Sequence, residues 1–96
     1  VIAIRRAIEA ELVVHLAYTD AESRRTERDI WPFSLAYYDQ SLVVMAWCEQ
    51  RSDFRNFRVD RIAALELDSR RYPEGRAELL RRWQEKERIP LDRYEL

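Results

Sequence analysis

Apolar residues recur at every fourth position at the start of the chain, Ile4, Ile8 and Leu12 in "VIAIRRAIEAEL", and Arg5 stands four residues before Glu9. That spacing predicts an amphipathic helix over residues 1–12, lying on the core by its apolar stripe. From Leu12 the period falls to two. Leu12, Val14, Leu16 and Tyr18 then point one way and Val13, His15 and Ala17 the other, which predicts a strand. "TDAESRR" breaks the pattern with polar turn formers. In "TERDIWPFSLAYYDQ" aromatic and β-branched residues resume, but Pro32 cannot donate to a ladder, so the stretch forms two short strands or one kinked strand. After a tight turn at Asp39, Gln40 and Ser41, "LVVMAWCEQ" is almost continuously apolar, the pattern of a strand in the middle of a sheet. "RSD" turns the chain again, and "FRNFR" and "IAALELD" complete about five closely spaced strands, as in a small antiparallel barrel over residues 12–68. Pro73 stands where a first helical position would be, and Leu79, Leu80 and Trp83 share one side of "PEGRAELLRRWQEKER", which predicts a helix over 73–88. The expected fold is mainly β with flanking helices: a helix, a five-stranded antiparallel barrel and a second helix in one domain, 1–96.

Composition narrows the functional classes. Ninety-six residues, 47% of them apolar, suffice for one modest core and not for two. The net charge of −1 conceals 36% charged residues, so only local clustering can argue for a polyanion partner. Of the 17 basic residues only Lys86 is a lysine. Arginine's planar fork matches phosphate and carboxylate, although the codon usage of a GC-rich genome would give the same bias. The single cysteine, Cys48, allows no internal disulfide and suits a reducing, cytoplasmic setting. No apolar run approaches the roughly 20 residues of a membrane span, and the start does not resemble a signal peptide. The chain opens on Val1 rather than methionine, which suggests a piece of something longer.

Catalytic and metal chemistry find few residues to work with. The one glycine, Gly75, falls within the predicted last helix, so no phosphate-cradling loop is expected. His15 and Cys48 lie in predicted strands without partners at ligand spacing, which argues against structural zinc and against a thiol–imidazole pair. The carboxylates follow charged faces and turns, and no pair is singled out by apolar surroundings. No enzyme, no metal and no cofactor are expected.

The basic residues Arg51, Arg55, Arg58 and Arg61 are spaced by four, three and three. An unbroken strand would put Arg55 and Phe57 on one face and Arg58 on the other. A strand ending near Arg58 and continuing through a 3₁₀-like turn at "VDRI", where i and i+3 eclipse, would instead gather Arg55, Arg58 and Arg61 at one edge, with Phe54, Phe57 and Ile62 inward. Guanidinium groups beside aromatic surface suit phosphates and stacked bases. Asp53 and Asp60 alternate with these arginines, however, and pairing would leave a solvated ionic rim that binds nothing. Spacing alone leaves both readings open.

The segment "FRNFRVDRI" resembles the R-x-F-R-x-D-R-I signature of WYL domains of bacterial helix-turn-helix transcription regulators, matched at Arg55, Phe57, Arg58, Asp60, Arg61 and Ile62. Tyr18, Pro32 before "FSLAYY", and Ala46 to Cys48 fall where such domains have a tyrosine, a proline and an A-x-C. The resemblance runs from about Val1 to Leu67. One departure stands out: Leu42, Val43 and Val44 occupy the tripeptide that names the family, and Trp47 is one pleat out of place to substitute. The resemblance implies an SH3- or Sm-like barrel that senses an effector, with a DNA-binding winged helix-turn-helix elsewhere in the parent protein. The implied ligand is single-stranded DNA or a nucleotide-like anion, held at Arg55, Arg58 and Arg61, with Tyr18 and Arg51 as further candidates. Operator DNA would be read only through the missing domain. The alternative is a dimerisation module that joins copies of the regulator through Leu79, Leu80, Trp83 and an exposed barrel edge, without a ligand.

Overall fold

In the computed structural model, which describes residues 1–87, the N-terminal helix α1 (Ile2–Ala10) stops short of Leu12. Glu11 ends it by adopting the left-handed conformation (φ 57°, ψ 46°), with its N–H turned back to the carbonyls of Ala7 and Ile8. Leu12 therefore opens the first strand, yet it still packs on the cluster that contains Ile4 and Ile8. The five strands are β1 (Leu12–Thr19), β2 (Arg25–Tyr38), β3 (Ser41–Cys48), β4 (Asp53–Arg58) and β5 (Ile62–Arg71), followed by helix α2 (Arg76–Glu87). All neighbouring strands are antiparallel in one sheet of order β4-β3-β2-β1-β5.

Pro32 is accommodated by one kinked strand rather than two. Pro32 pairs with Ala46 and Ser34 with Met45, so Phe33 is the extra residue of a bulge. The bulge flips the alternation: Ile30 and Leu35 share one face of the sheet, while Phe33 and Ala36 lie on the other. On the first face Val14, Leu16, Tyr18, Val44 and Phe57 pack with Ile4, Ala7 and Ile8 of α1. On the second, Val13, Phe33, Val43, Met45 and Phe54 are covered by Leu79, Leu80 and Trp83 of α2. Each of those α2 side chains is at most 8% exposed. In this chain Leu79, Leu80 and Trp83, the residues of the alternative dimerisation reading, pack against its own sheet.

A 3₁₀ turn (Val59–Arg61) carries the chain from β4 to β5, as the i, i+3 spacing suggested. These are the two edge strands, and they do not pair with each other. Three residues at a rise of about 2 Å leave the edges only some 6 Å apart at that corner. The sheet is thus curled there without closing into a barrel.

Two boundaries differ from expectation. β5 runs to Arg71 instead of ending near 68, because it stays paired with β1 until Leu12 meets Arg71. Helix α2 starts at Arg76, so Pro73 and Gly75 precede it. The Gly75 carbonyl accepts the N–H groups of Glu78 and Leu79, and the Glu11 carboxylate accepts the Arg76 N–H at 2.9 Å. Residue 88, the last of the expected helix, and the tail beyond Pro90 lie outside the described residues. With glycine scarce, the left-handed positions fall to Glu11, Ser23, Asp39, Gln40 and Ser52. Asp39 and Gln40, both at positive φ, form the primed turn that a two-residue hairpin requires. Among the described residues no helix is long and apolar enough to cross a membrane.

Candidate functional site at the arginine corner

β4 alternates without a break from Asp53, opposite Cys48, to Arg58, opposite Val43. Phe54 and Phe57 are both buried but on opposite faces, with Phe57 in the α1 cluster and Phe54 in the α2 cluster. By the same pleat Arg55 and Arg58 leave the strand on opposite sides. The fold therefore does not bring Arg55 together with Arg58. One terminal nitrogen of Arg55 donates to Asp53 Oδ2 at 3.0 Å and to the Phe54 carbonyl at 2.9 Å. Arg51 lies exposed in the β3–β4 turn. A six-residue strand at about 3.3 Å per residue separates the two ends of β4 by roughly 20 Å, which removes Arg51 from Arg58 and Arg61.

At the other end of β4 three of the candidate residues do converge. Tyr18, at the end of β1, stands opposite Ile62 and packs edge-on against Phe57, with 5.1 Å between ring centroids. Its hydroxyl accepts the Arg58 N–H at 3.0 Å, which pins the entry of the 3₁₀ turn to β1. The Arg58 guanidinium forks onto Asp60, Nε to Oδ1 at 3.0 Å and Nη2 to Oδ2 at 2.6 Å. This fork holds the Asp60 carboxyl below its usual range and raises Arg58 in turn. Arg61, at the last position of the turn, forms no ion pair among the described residues. It lines an open depression of about 420 Å³ together with Thr19, Asp20, Asp60 and Ile62.

The ionic pairing that would make the segment a solvated rim is thus partly present. Asp53 is paired with Lys86 of α2 as well as Arg55, and Lys86 first, then the Phe54 N–H, draws its carboxyl down to about 2. Asp53 closes the β4–α2 side of the molecule. At the turn Arg58 is forked on Asp60, and Arg61 acts on the same carboxylate at longer range.

Two other clusters escaped the spacing of the sequence. On β1, His15 faces a carboxylate at each ring nitrogen: in the protonated imidazole Nδ1 donates to Asp29 of β2, and Nε2 donates to Asp68 of β5 at 3.0 Å. The hydrogen bond to Asp29, then that to Asp68, raises the imidazole above its ordinary 6.5 against the opposing effect of burial. Gln50 completes the cluster, its amide donating to Asp29 Oδ2 at 3.0 Å while its oxygen accepts the Asp29 N–H at 2.8 Å. The partners stand 14 and 53 residues from His15, so only strand register reveals them. The second cluster is a row of rings across the sheet. Tyr72 stacks on Trp31 (6.1 Å, 12°), Trp31 on Trp47 (6.0 Å, 30°), and Trp47 meets Phe54 edge-on. Arg82 lies 5.0 Å above the Trp47 ring, and its Nη1 donates to both carboxylate oxygens of Glu74. Among the described residues no group of three acidic, histidine or cysteine side chains could hold a metal ion.

Residues 1–67 match the family model of the WYL domain. Among solved structures, proteasome accessory factor B/C (PafBC) of Arthrobacter aurescens is similar at 33% identity and a TM-score of 0.71, over 75% of this chain. The chain spans 11% of the length of that protein. No curated protein matches it.

Proposed function

The chain belongs to the WYL domain family, and from that premise we propose that it is the effector-sensing domain of a larger, cytoplasmic bacterial transcription regulator, acting by binding rather than by catalysis. Its effector is a phosphate-bearing molecule, a nucleotide or single-stranded nucleic acid, held at the corner formed by Tyr18, Arg58 and Arg61. Operator recognition belongs to a separate helix-turn-helix domain of the parent protein. The strand order, with a 3₁₀ turn between the last two strands, supports an SH3- or Sm-like reading of the fold.

The observation that carries the site is the Tyr18–Arg58 hydrogen bond, because it fixes the backbone from which both guanidinium groups project. Arg61 has no ion-pair partner among the described residues. Arg58 has only Asp60, in a pair whose side chains are 40% and 61% exposed. Such a pair contributes little in water, so a dianionic phosphate that takes both forks displaces Asp60 at small cost. Arg51 and Arg55 stand outside this set.

The test is a fluorescence-anisotropy titration of labelled single-stranded DNA, with duplex DNA and a mononucleotide as comparisons, at several salt concentrations. The expected result is saturable binding that weakens with salt, and a roughly tenfold rise in Kd for Arg58→Ala or Arg61→Ala. Arg51→Ala should leave Kd unchanged. Equal affinity in all three variants would reject the corner. An assembly role has one observation in its favour: β5 is a ten-residue edge strand with Ala63 and Ala64 exposed. Sedimentation velocity across a hundredfold concentration range decides it, a monomer throughout excluding it for this chain.

A further inference from the structure

A cavity of about 450 Å³ opens on the opposite side of the β2–β3 hairpin, where the C-terminal half of β2, α1 and the start of α2 meet. It shares no lining residue with the arginine corner, and the proposal below does not depend on that site. Its apolar part is made by Ile8 of α1, Leu35 of β2 and Leu42 of β3, which share the α1 face of the sheet. Cavities of this size with an apolar floor and a few converging polar groups are the usual form of small-molecule sites.

Its polar lining comes from Arg5, Arg76, Glu9, Glu11, Ser34 and Tyr37, of which the two arginines supply the positive charge. Arg76 is held in place from both ends, its backbone N–H on Glu11 and its Nε donating to the Phe33 carbonyl at 2.8 Å. That leaves its two terminal nitrogens with no partner among the described residues. Arg5 likewise makes no ion pair among them. Of the two carboxylates at the rim, Glu11 is occupied in capping α2, while Glu9 is exposed on the outer turn of α1. Two available guanidinium forks therefore stand over an apolar floor.

We propose that this cavity binds a small amphipathic carboxylate, its apolar body on Ile8, Leu35 and Leu42 and its carboxylate between Arg5 and Arg76. Two guanidiniums suit a two-oxygen anion, and the apolar patch beneath them favours one that carries an apolar body over inorganic phosphate. Leu42 stands where the family's tripeptide begins with tryptophan. Leu42 lines the cavity, so a larger ring introduced at that position would fill it.

The experiment is an amide-shift titration of the isotope-labelled chain with octanoate and 3-phenylpropionate, each compared with its neutral amide, and with inorganic phosphate. Expected are saturable shifts at Leu35, Ala36, Leu42 and Arg76, at least tenfold weaker binding of the amides, and no shifts with phosphate. Leu42→Trp should abolish binding by filling the floor. Ala77→Glu, on the exposed first turn of α2, should weaken it by repulsion without disturbing the core, and serves if Leu42→Trp fails to fold. Glu9→Gln should tighten binding, and Arg61→Ala should not change it. No saturable shifts with either acid at millimolar concentration, equal affinity for acid and amide, or binding indifferent to Ala77→Glu would overturn the proposal.

Discussion

The backbone and the guanidinium of Arg58 have separate partners, and the difference decides what each substitution does. Tyr18→Phe keeps the edge-on contact with Phe57 but leaves the part-buried Arg58 N–H without its acceptor. The expected loss is about 1–2 kcal/mol in urea denaturation, with faster amide exchange through the 3₁₀ turn. Arg58→Ala removes only an exposed ion pair, so its midpoint should stay close to wild type while ligand affinity falls. His15 makes a different kind of prediction. Because its folded pKa is raised above 6.5, chiefly by Asp29, its contribution is complete below that value and is lost as pH rises through the raised one. Asp29 and Asp68 are depressed below 3.8, by His15 and by the Arg70 N–H respectively, so their contributions vanish only as pH falls through those lower values. The melting temperature should therefore decline in the wild type as pH rises above about 6.5, and His15→Gln should lack that decline. At this scale the sequence was a partial guide. The signature spacing located Arg58, Asp60 and Arg61, but local spacing carries no trace of a histidine bridging three strands.

Glu11 shows how an element boundary is set from a distance. It ends α1 by its left-handed backbone, accepts the Tyr72 N–H with its carbonyl at 3.0 Å, and caps α2 with its carboxylate. Glu11→Ala should cost about 1 kcal/mol, seen as a lower urea midpoint and earlier fraying of the first turn of α2. The start of α2 was misplaced for the same reason. Pro73 is a sound local signal for a first helical position, but the capping group lies 65 residues upstream of the Arg76 N–H it accepts. Elements governed by local alternation were legible: the two faces of β1 are those read from Leu12 to Tyr18, and the 3₁₀ turn follows from three-residue spacing. The bulge at Phe33 was legible only as a kink. Its consequence, that Ile30 and Leu35 share a face although an odd number of positions separates them, depends on the register with β3.

For the molecule as a whole, the sheet is covered by α1 on one face and by α2 on the other, and α2 holds its place by few side chains. Trp83 is 3% exposed and meets Phe33 at 6.0 Å between ring centroids. Trp83→Ala should cost about 3–5 kcal/mol, a large share of the stability of a domain this size. A collapse of near-ultraviolet circular dichroism and a much lower melting temperature would register it. The same whole-molecule view separates the arginines that sequence spacing had grouped. An unbroken β4 sends Arg55 to the other face, and its length removes Arg51, so the proposed site contracts to Tyr18, Arg58 and Arg61. The most direct measurement is an amide-shift map of the labelled chain titrated with a short single-stranded DNA. The account predicts saturable shifts confined to Tyr18 and residues 58–62. Shifts centred instead on Arg51, or on the Trp31 and Trp47 rings with those residues unmoved, would contradict it.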